Sequence, residues 1–179
     1  MLYEFLLAGL MIINPANAAN AANAPDYRYN DNINNKIESI ECLAMNMYHE
    51  ARDQGSAGLL AVTSVVLNRV KDKRFPSTIC EVIYEGPMRE SWKKDGNFYP
   101  IRDRCQFSWW CDGRPDEPKN KESYKQLLKI AESIYDSTNL VDITDGALFY
   151  HADYVKPAWA NVKIRTVRIG NHIFYRWEV

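Results

Sequence analysis

The sequence predicts an α+β fold. Three observations support it: apolar side chains recur at helical spacing through the first half of the chain, the period changes to two near the C-terminus, and strands and helices do not alternate. A chain of 179 residues, 46% hydrophobic and 25% charged, can bury one core and is too short to prefer two, so a single domain is expected.

The helical pattern starts at Lys36, where Ile37, Ile40, Ala44, Met47 and Ala51 fall on one stripe. A loop containing Asp53, Gly55 and Gly58 leads to a second stripe of Leu59, Val62, Val65, Val66 and Val70, with Asn68 and Arg69 on its edge. Its many valines do not make it a strand, because the spacing is 3.6. Phe75-Pro76 then stops the chain, and Ser77 is the expected N-cap of a short helix from Thr78 to Tyr84.

Residues 87–120 are rich in Trp, Pro, Gly and charge and lack a sustained period, apart from a strand-like run at Gln106 to Trp110. They read as an ordered loop region pinned by its cysteines. A fourth helix is expected from Lys121 to Tyr135, burying Tyr124, Leu127, Leu128, Ala131, Ile134 and Tyr135. Beyond it, Ala147 to His151 is strand-like. Val162 to Ile169 faces His172 to Trp177 across Gly170-Asn171, a pair suited to a two-residue hairpin turn.

Residues 1–24 read as a secretory signal, with the apolar run Phe5 to Ile13 followed by Asn14-Pro15 and small residues through Ala24. Nine apolar residues fall short of the ~20 that span a bilayer, so no stable membrane span is expected after processing. Residues 25–35, with four asparagines, read as a linker. Removing residues 1–24 takes away Glu4 and no basic residue, which brings the net charge from -1 to zero. That balance points to neither nucleic acid nor an anionic membrane as partner.

Four cysteines behind a signal-like start suit two structural disulfides. Of the three possible pairings, Cys42–Cys80 with Cys105–Cys111 is favoured: the second pair clips a short loop and the first joins two predicted helices. A zinc site is the competing use, but the sequence has no Cys-x-x-Cys pair, and His49, His151 and His172 are scattered. No metal or other cofactor is implied.

Glu50 is the residue most able to carry chemistry. It lies roughly 90° around the helical wheel from the centre of its apolar stripe. On the lip of a core a carboxyl is partly desolvated, which raises its pKa toward the range a general acid needs. The alternative is a surface glutamate paired with Arg52 or Arg69.

Beyond this position, the ordered blocks Cys42-Leu-Ala-Met-Asn-Met-Tyr-His-Glu-Ala-Arg52, Val65-Val-Leu-Asn-Arg-Val70, Phe75-Pro-Ser-Thr-Ile-Cys80, Cys105-Gln-Phe-Ser-Trp-Trp-Cys-Asp-Gly113, Tyr150-His-Ala-Asp153 with Trp159, and His172-Ile-Phe-Tyr-Arg176 resemble the SleB/CwlJ-type cell wall hydrolase family. The resemblance covers residues 38 to 177. It implies a lysozyme-like catalytic domain at 36–179 that cleaves the glycan strands of peptidoglycan, with Glu50 as catalytic acid. Together with the signal-like start, the expectation is an exported enzyme, periplasmic or extracellular, or a phage enzyme acting on a host wall, working as a monomer. The chain departs from the family at Asp53 and Gln54, where Gly and Glu are usual; a second acidic role there is lost or shifted to Asp53.

Retaining glycosidases place two carboxyl groups ~5 Å apart and inverting ones ~6.5–9.5 Å apart. The candidates for a second group are Asp112 and Asp153, each in a turn where an aspartate commonly caps the backbone. With one dominant acid the economical reaction is lytic transglycosylation, in which Glu50 acts as acid and then base. Phe107, Trp109, Tyr150, Trp159 and Tyr175 are candidate sugar-stacking or cleft residues, and Asn68, Arg69 and Gln106 candidate hydrogen-bonding ones. Adjacent Trp109 and Trp110 should face opposite ways in an extended segment. His151 is a candidate for orienting Glu50 or substrate, and His49 should turn away from Glu50 by about 100°. The rival functions are a zinc-dependent amidase with Glu50 as base, for which residue 53 lacks the second histidine of His-Glu-x-x-His, and a non-catalytic wall-binding module.

Overall fold

The structure is a computed structural model that describes residues 27–177. The signal-like segment at 1–24 lies outside the described residues. The chain divides into two compact units, residues 1–34 and 35–179. Of the first, the described part is helical backbone from Tyr27.

Helix α1 runs Tyr27–Ala51, so the stretch expected as a linker is helical from Tyr27 onward. Its asparagines hid the helix, because they lower helix propensity without forbidding it. Within the second unit the stripe is buried at Ile40, Ala44, Met47 and Ala51, whereas Ile37 at its start is half exposed.

Helix α2, Gly55–Lys71, begins inside the expected loop. Gly55 opens the helix in the left-handed region at φ 66°, and a Cβ at Gly58 would lie 2.2 Å from Cβ of Gln54, so that second glycine lets the incoming chain pass close. Burial of Val62, Val65 and Val66 outweighs the weak helix preference of valine.

The N-cap of α3, Ile79–Ile83, is Thr78 and not Ser77. Thr78 is extended and its Oγ1 accepts from the Glu81 N–H at 3.3 Å, while the same hydroxyl donates to Glu81 Oε2 at 2.8 Å. Disulfides join Cys42 of α1 to Cys80 of α3, and Cys105 to Cys111.

A hairpin of β1, Met88–Glu90, and β2, Phe98–Pro100, lies within the loop region and was not foreseen. Its strands have three residues each and expose both faces, so no apolar alternation betrays them. The expected strand at Gln106–Trp110 is instead a 3₁₀ turn, Ser108–Cys111. Six extended steps would span ~20 Å, whereas the Cys105 and Cys111 Cα atoms are 6.2 Å apart, so the disulfide requires a coiled segment. Without a strand the alternation argument for the tryptophans lapses: Trp109 is buried and Trp110 half-buried.

Helix α4 spans Lys121–Tyr135, capped by Asn120, whose Oδ1 accepts from the Ser123 N–H. It buries Leu127 and Ala131, while Tyr135 at its end is exposed. The remaining strands β3, Phe149–Ala152, β4, Ile164–Ile169, and β5, His172–Arg176, form an antiparallel sheet in the order β3-β5-β4. A second 3₁₀ turn, Ala158–Asn161, lies between β3 and β4.

Leu43, Met47, Val62, Val66, Val82, Phe107 and Leu127 belong to the larger apolar core. Ala61, Val65, Ala147 and Phe174 form a smaller one between α2 and the sheet. Tyr150 packs against both, which places β3 at their seam. Among the described residues no helix is long and apolar enough to cross a membrane.

Candidate active site

Glu50 sits on the last turn of α1, where the buried stripe gives way to solvent, and opens into a cleft of about 770 Å³. Among the described residues it forms no ion pair, which disposes of Arg52 and Arg69 as its partners. Its partner is Tyr150 of β3, whose hydroxyl donates to Glu50 Oε2 at 2.8 Å. Burial pushes the Glu50 carboxyl above the usual carboxylate range, and the Tyr150 hydrogen bond opposes this in part. Burial also holds the Tyr150 phenol well above its ordinary pKa, so it stays a donor.

Arg69 lines the same cleft, buried, with Nε donating to the Leu148 carbonyl at 2.8 Å. Its guanidinium is 5.2–5.7 Å from the centroids of Phe75, Phe107 and Phe149. It therefore fixes the backbone two residues before Tyr150.

Of the residues singled out from sequence, Glu50, Arg69, Gln106, Trp109, Asp112, Tyr150, His151 and Trp159 line this cleft. Four others do not line it. Asn68 donates to Asp142 Oδ2 and the Ala147 carbonyl and ties α2 to the approach to β3. Phe107 is core, Asp153 pairs with Arg168, and Tyr175 is buried with its hydroxyl against His151.

His151 does not orient Glu50. Its Nδ1 lies 2.8 Å from the Ala152 carbonyl, which can only accept, so that nitrogen carries the proton and Nε2 accepts from Tyr175 at 3.0 Å. Asp112 Oδ1 accepts from the Arg114 N–H at 2.8 Å, the turn-capping role such a residue commonly has. Asp53 is exposed beside Arg52 and outside the cleft. Gln54 is also outside it and accepts from the Asn171 N–H at the β4–β5 turn.

Two lining histidines were not foreseen. His49 reaches the cleft despite being next to Glu50 on the helix, because its ring stacks on Trp109 at 4.6 Å and Nε2 donates to the Asp116 carbonyl. His172 contacts the Tyr150 ring edge at 5.0 Å, and burial lowers its pKa, so it is neutral at pH 7. Its place at the start of the strand-like run His172 to Trp177 was the signal the sequence offered. Among the described residues no three His, Cys, Asp or Glu side chains are grouped to hold a metal ion.

The arrangement is a carboxyl whose pKa burial raises, set in a polar cleft, hydrogen-bonded by a neutral donor and in company with Trp109 and Trp159. Chemically it can give a proton to a bound oxygen and take one back.

The cell wall hydrolase family profile matches residues 53–175. The spore cortex-lytic enzyme of Halalkalibacterium halodurans is 29% identical over 160 residues, 89% of this chain and 39% of that protein. An aligned stretch of that length in a 179-residue chain necessarily includes position 50. The Bacillus cereus spore cortex-lytic enzyme is 28% identical over 166 residues, 90% of this chain and 54% of its own. The chain thus spans about half the length, or less, of the curated relatives it matches.

The catalytic domain of the germination-specific lytic transglycosylase SleB from Bacillus anthracis superposes with a TM-score of 0.53 at 28% identity, covering 77% of this chain and 93% of that domain. The Bacillus cereus SleB catalytic domain gives 0.52 at 27%, covering 77% and 89%. These likenesses bear out the α+β, lysozyme-like fold expected from sequence. On the profile match over most of its length, the chain belongs to the cell wall hydrolase family.

Proposed function

We propose that this chain cleaves the glycan strands of peptidoglycan as a lytic transglycosylase, with Glu50 as acid and then base. The observation that carries the reading is the burial of Glu50 in the cleft, bonded to Tyr150 and in no ion pair among the described residues. The protonated carboxyl gives its proton to the glycosidic oxygen, and the departing bond leaves an oxocarbenium-like sugar. The resulting carboxylate takes the proton from that sugar's own 6-hydroxyl as the oxygen closes a 1,6-anhydro ring. Glu50 ends protonated again and no second carboxylate is used.

Asp112 is the other carboxylate lining the cleft that sequence had singled out. Its engagement with Arg114 favours the single-acid route over one in which it activates water. The likeness to SleB catalytic domains supports the same reaction class. Two disulfides suit an enzyme that works outside the reducing cytoplasm, and a monomer suffices for a cleft formed within one chain.

Purified sacculi incubated with wild type should release soluble muropeptides, and Glu50→Gln should release them about a hundred to ten thousand times more slowly. Wild-type release retained by the variant would overturn the assignment.

A further inference from the structure

The β1–β2 hairpin carries aromatic side chains that no core uses. Trp92 in its turn is 87% exposed, Phe98 60% and Tyr99 53%, whereas Trp109 is buried and Trp110 and Trp159 are partly covered. The Trp92 indole meets no other ring among the described residues, and the Lys93 ammonium lies 5.6 Å from its centroid. Leaving a tryptophan in water forfeits the stabilisation of burying it, so its place here needs a use other than folding.

The hairpin is well built. Met88 pairs with Pro100, Arg89 with Tyr99 and Glu90 with Phe98, and the Ser91 N–H closes the turn on the Asn97 carbonyl at 2.7 Å. On one side Arg89, Trp92, Lys93, Asp95 and Tyr99 line a recess of about 340 Å³. Two rings beside Ser91 and charged groups of both signs, Glu90 among them, match a pyranose, whose C–H face stacks on an aromatic ring while its hydroxyl and N-acetyl groups take polar partners.

The hairpin is rooted at the Glu50 cleft. The Gln106 N–H donates to the Glu85 carbonyl at 2.9 Å, joining its two legs, and both Cys105 and Gln106 line the cleft wall. Between Gly86 and Arg104 five basic side chains face three acidic ones, a balance that suits a glycan whose stem peptides bear carboxylates.

From this we infer that the hairpin is an accessory glycan-binding subsite, in which Trp92 and Tyr99 stack on N-acetylated sugars of the strand that Glu50 acts on. The inference rests on the proposed glycan substrate and adds a place where the polymer is held beyond the cleft.

The test compares full-length Glu50→Gln with the same protein carrying Trp92→Ala and Tyr99→Ala. Binding to purified sacculi is measured by sedimentation, with fragment release followed in the same tubes. The triple variant should bind about tenfold more weakly, with an unchanged melting temperature because neither ring supports the core. Soluble N-acetylglucosamine oligomers should quench tryptophan fluorescence more in Glu50→Gln than in the triple variant, and equal quenching overturns the subsite. Equal binding by the two proteins overturns the subsite, as does loss of binding to anionic phospholipid vesicles in place of sacculi. Fragment release by Glu50→Gln would instead count against the catalytic assignment, so the two failures are told apart.

Discussion

The Tyr150 hydroxyl lies 2.8 Å from Glu50 Oε2, although the two residues are 100 positions apart in the chain. The bond joins the end of the first helix to the first strand of the C-terminal sheet, so the site exists only when both parts have docked. Because it stabilises the carboxylate, it moderates the rise in Glu50 pKa that burial causes. Tyr150→Phe should therefore shift the alkaline limb of the rate–pH profile upward and lower the rate about tenfold through looser positioning. A profile that moves down, or stays in place, would contradict this role.

Glu50 also bears on stability. Its pKa is higher folded than unfolded, so its contribution is fully present below the unfolded carboxyl value of about 4.3 and is lost as pH rises through the folded value. Above that window a buried charge is strained against its surroundings. Glu50→Gln should accordingly melt higher than wild type at pH 8, with the gap closing below about pH 4. Calorimetry at the two pH values checks the sign.

The disulfides should separate stability from activity. On the loop-entropy relation, closing a separation of 38 residues is worth about 4 kcal/mol and closing one of 6 about 2 kcal/mol. Cys42→Ser/Cys80→Ser should lose more in urea unfolding, yet keep its cleft once folded at low temperature. Cys105→Ser/Cys111→Ser should lose less stability and more turnover, because Cys105, Trp109 and Asp112 belong to the cleft wall.

Gln54 replaces the glutamate that the resembled family usually has, and its Oε1 is 3.1 Å from the Asn171 nitrogen. A carboxylate can accept the same N–H, so Gln54→Glu should change stability by about 0.5 kcal/mol or less and leave turnover within a few-fold. A large gain in turnover would show that the position takes part in the reaction. Gly170→Ala should be costly, about 2 kcal/mol, since φ is 57° there and the new Cβ would meet Gln54 Oε1 at 2.6 Å.

Periodicity made the helices and the C-terminal hairpin legible because both bury one face: α4 runs over the residues read from sequence, and β4 and β5 meet across Gly170-Asn171. The β1–β2 hairpin left no such trace, since it buries neither face. The disulfide closure at Cys105–Cys111 overrode the strand-like composition of Gln106 to Trp110. Glu50 stood out by its place on the wheel, but its partner could not be read, because a hydrogen bond over 100 residues depends on the packing of β3 between two cores. For the same reason His151 looked like the orienting residue when Tyr150, next to it, faces Glu50.

The most direct measurement is mass spectrometry of the fragments released from purified sacculi by wild type and by Glu50→Gln. The account predicts wild-type muropeptides ending in 1,6-anhydro muramic acid, each lighter by one water than the hydrolysed form, and their near absence with the variant. Reducing-end muramic acid, free stem peptides detached from intact glycan, or anhydro products at the wild-type rate from Glu50→Gln would contradict it.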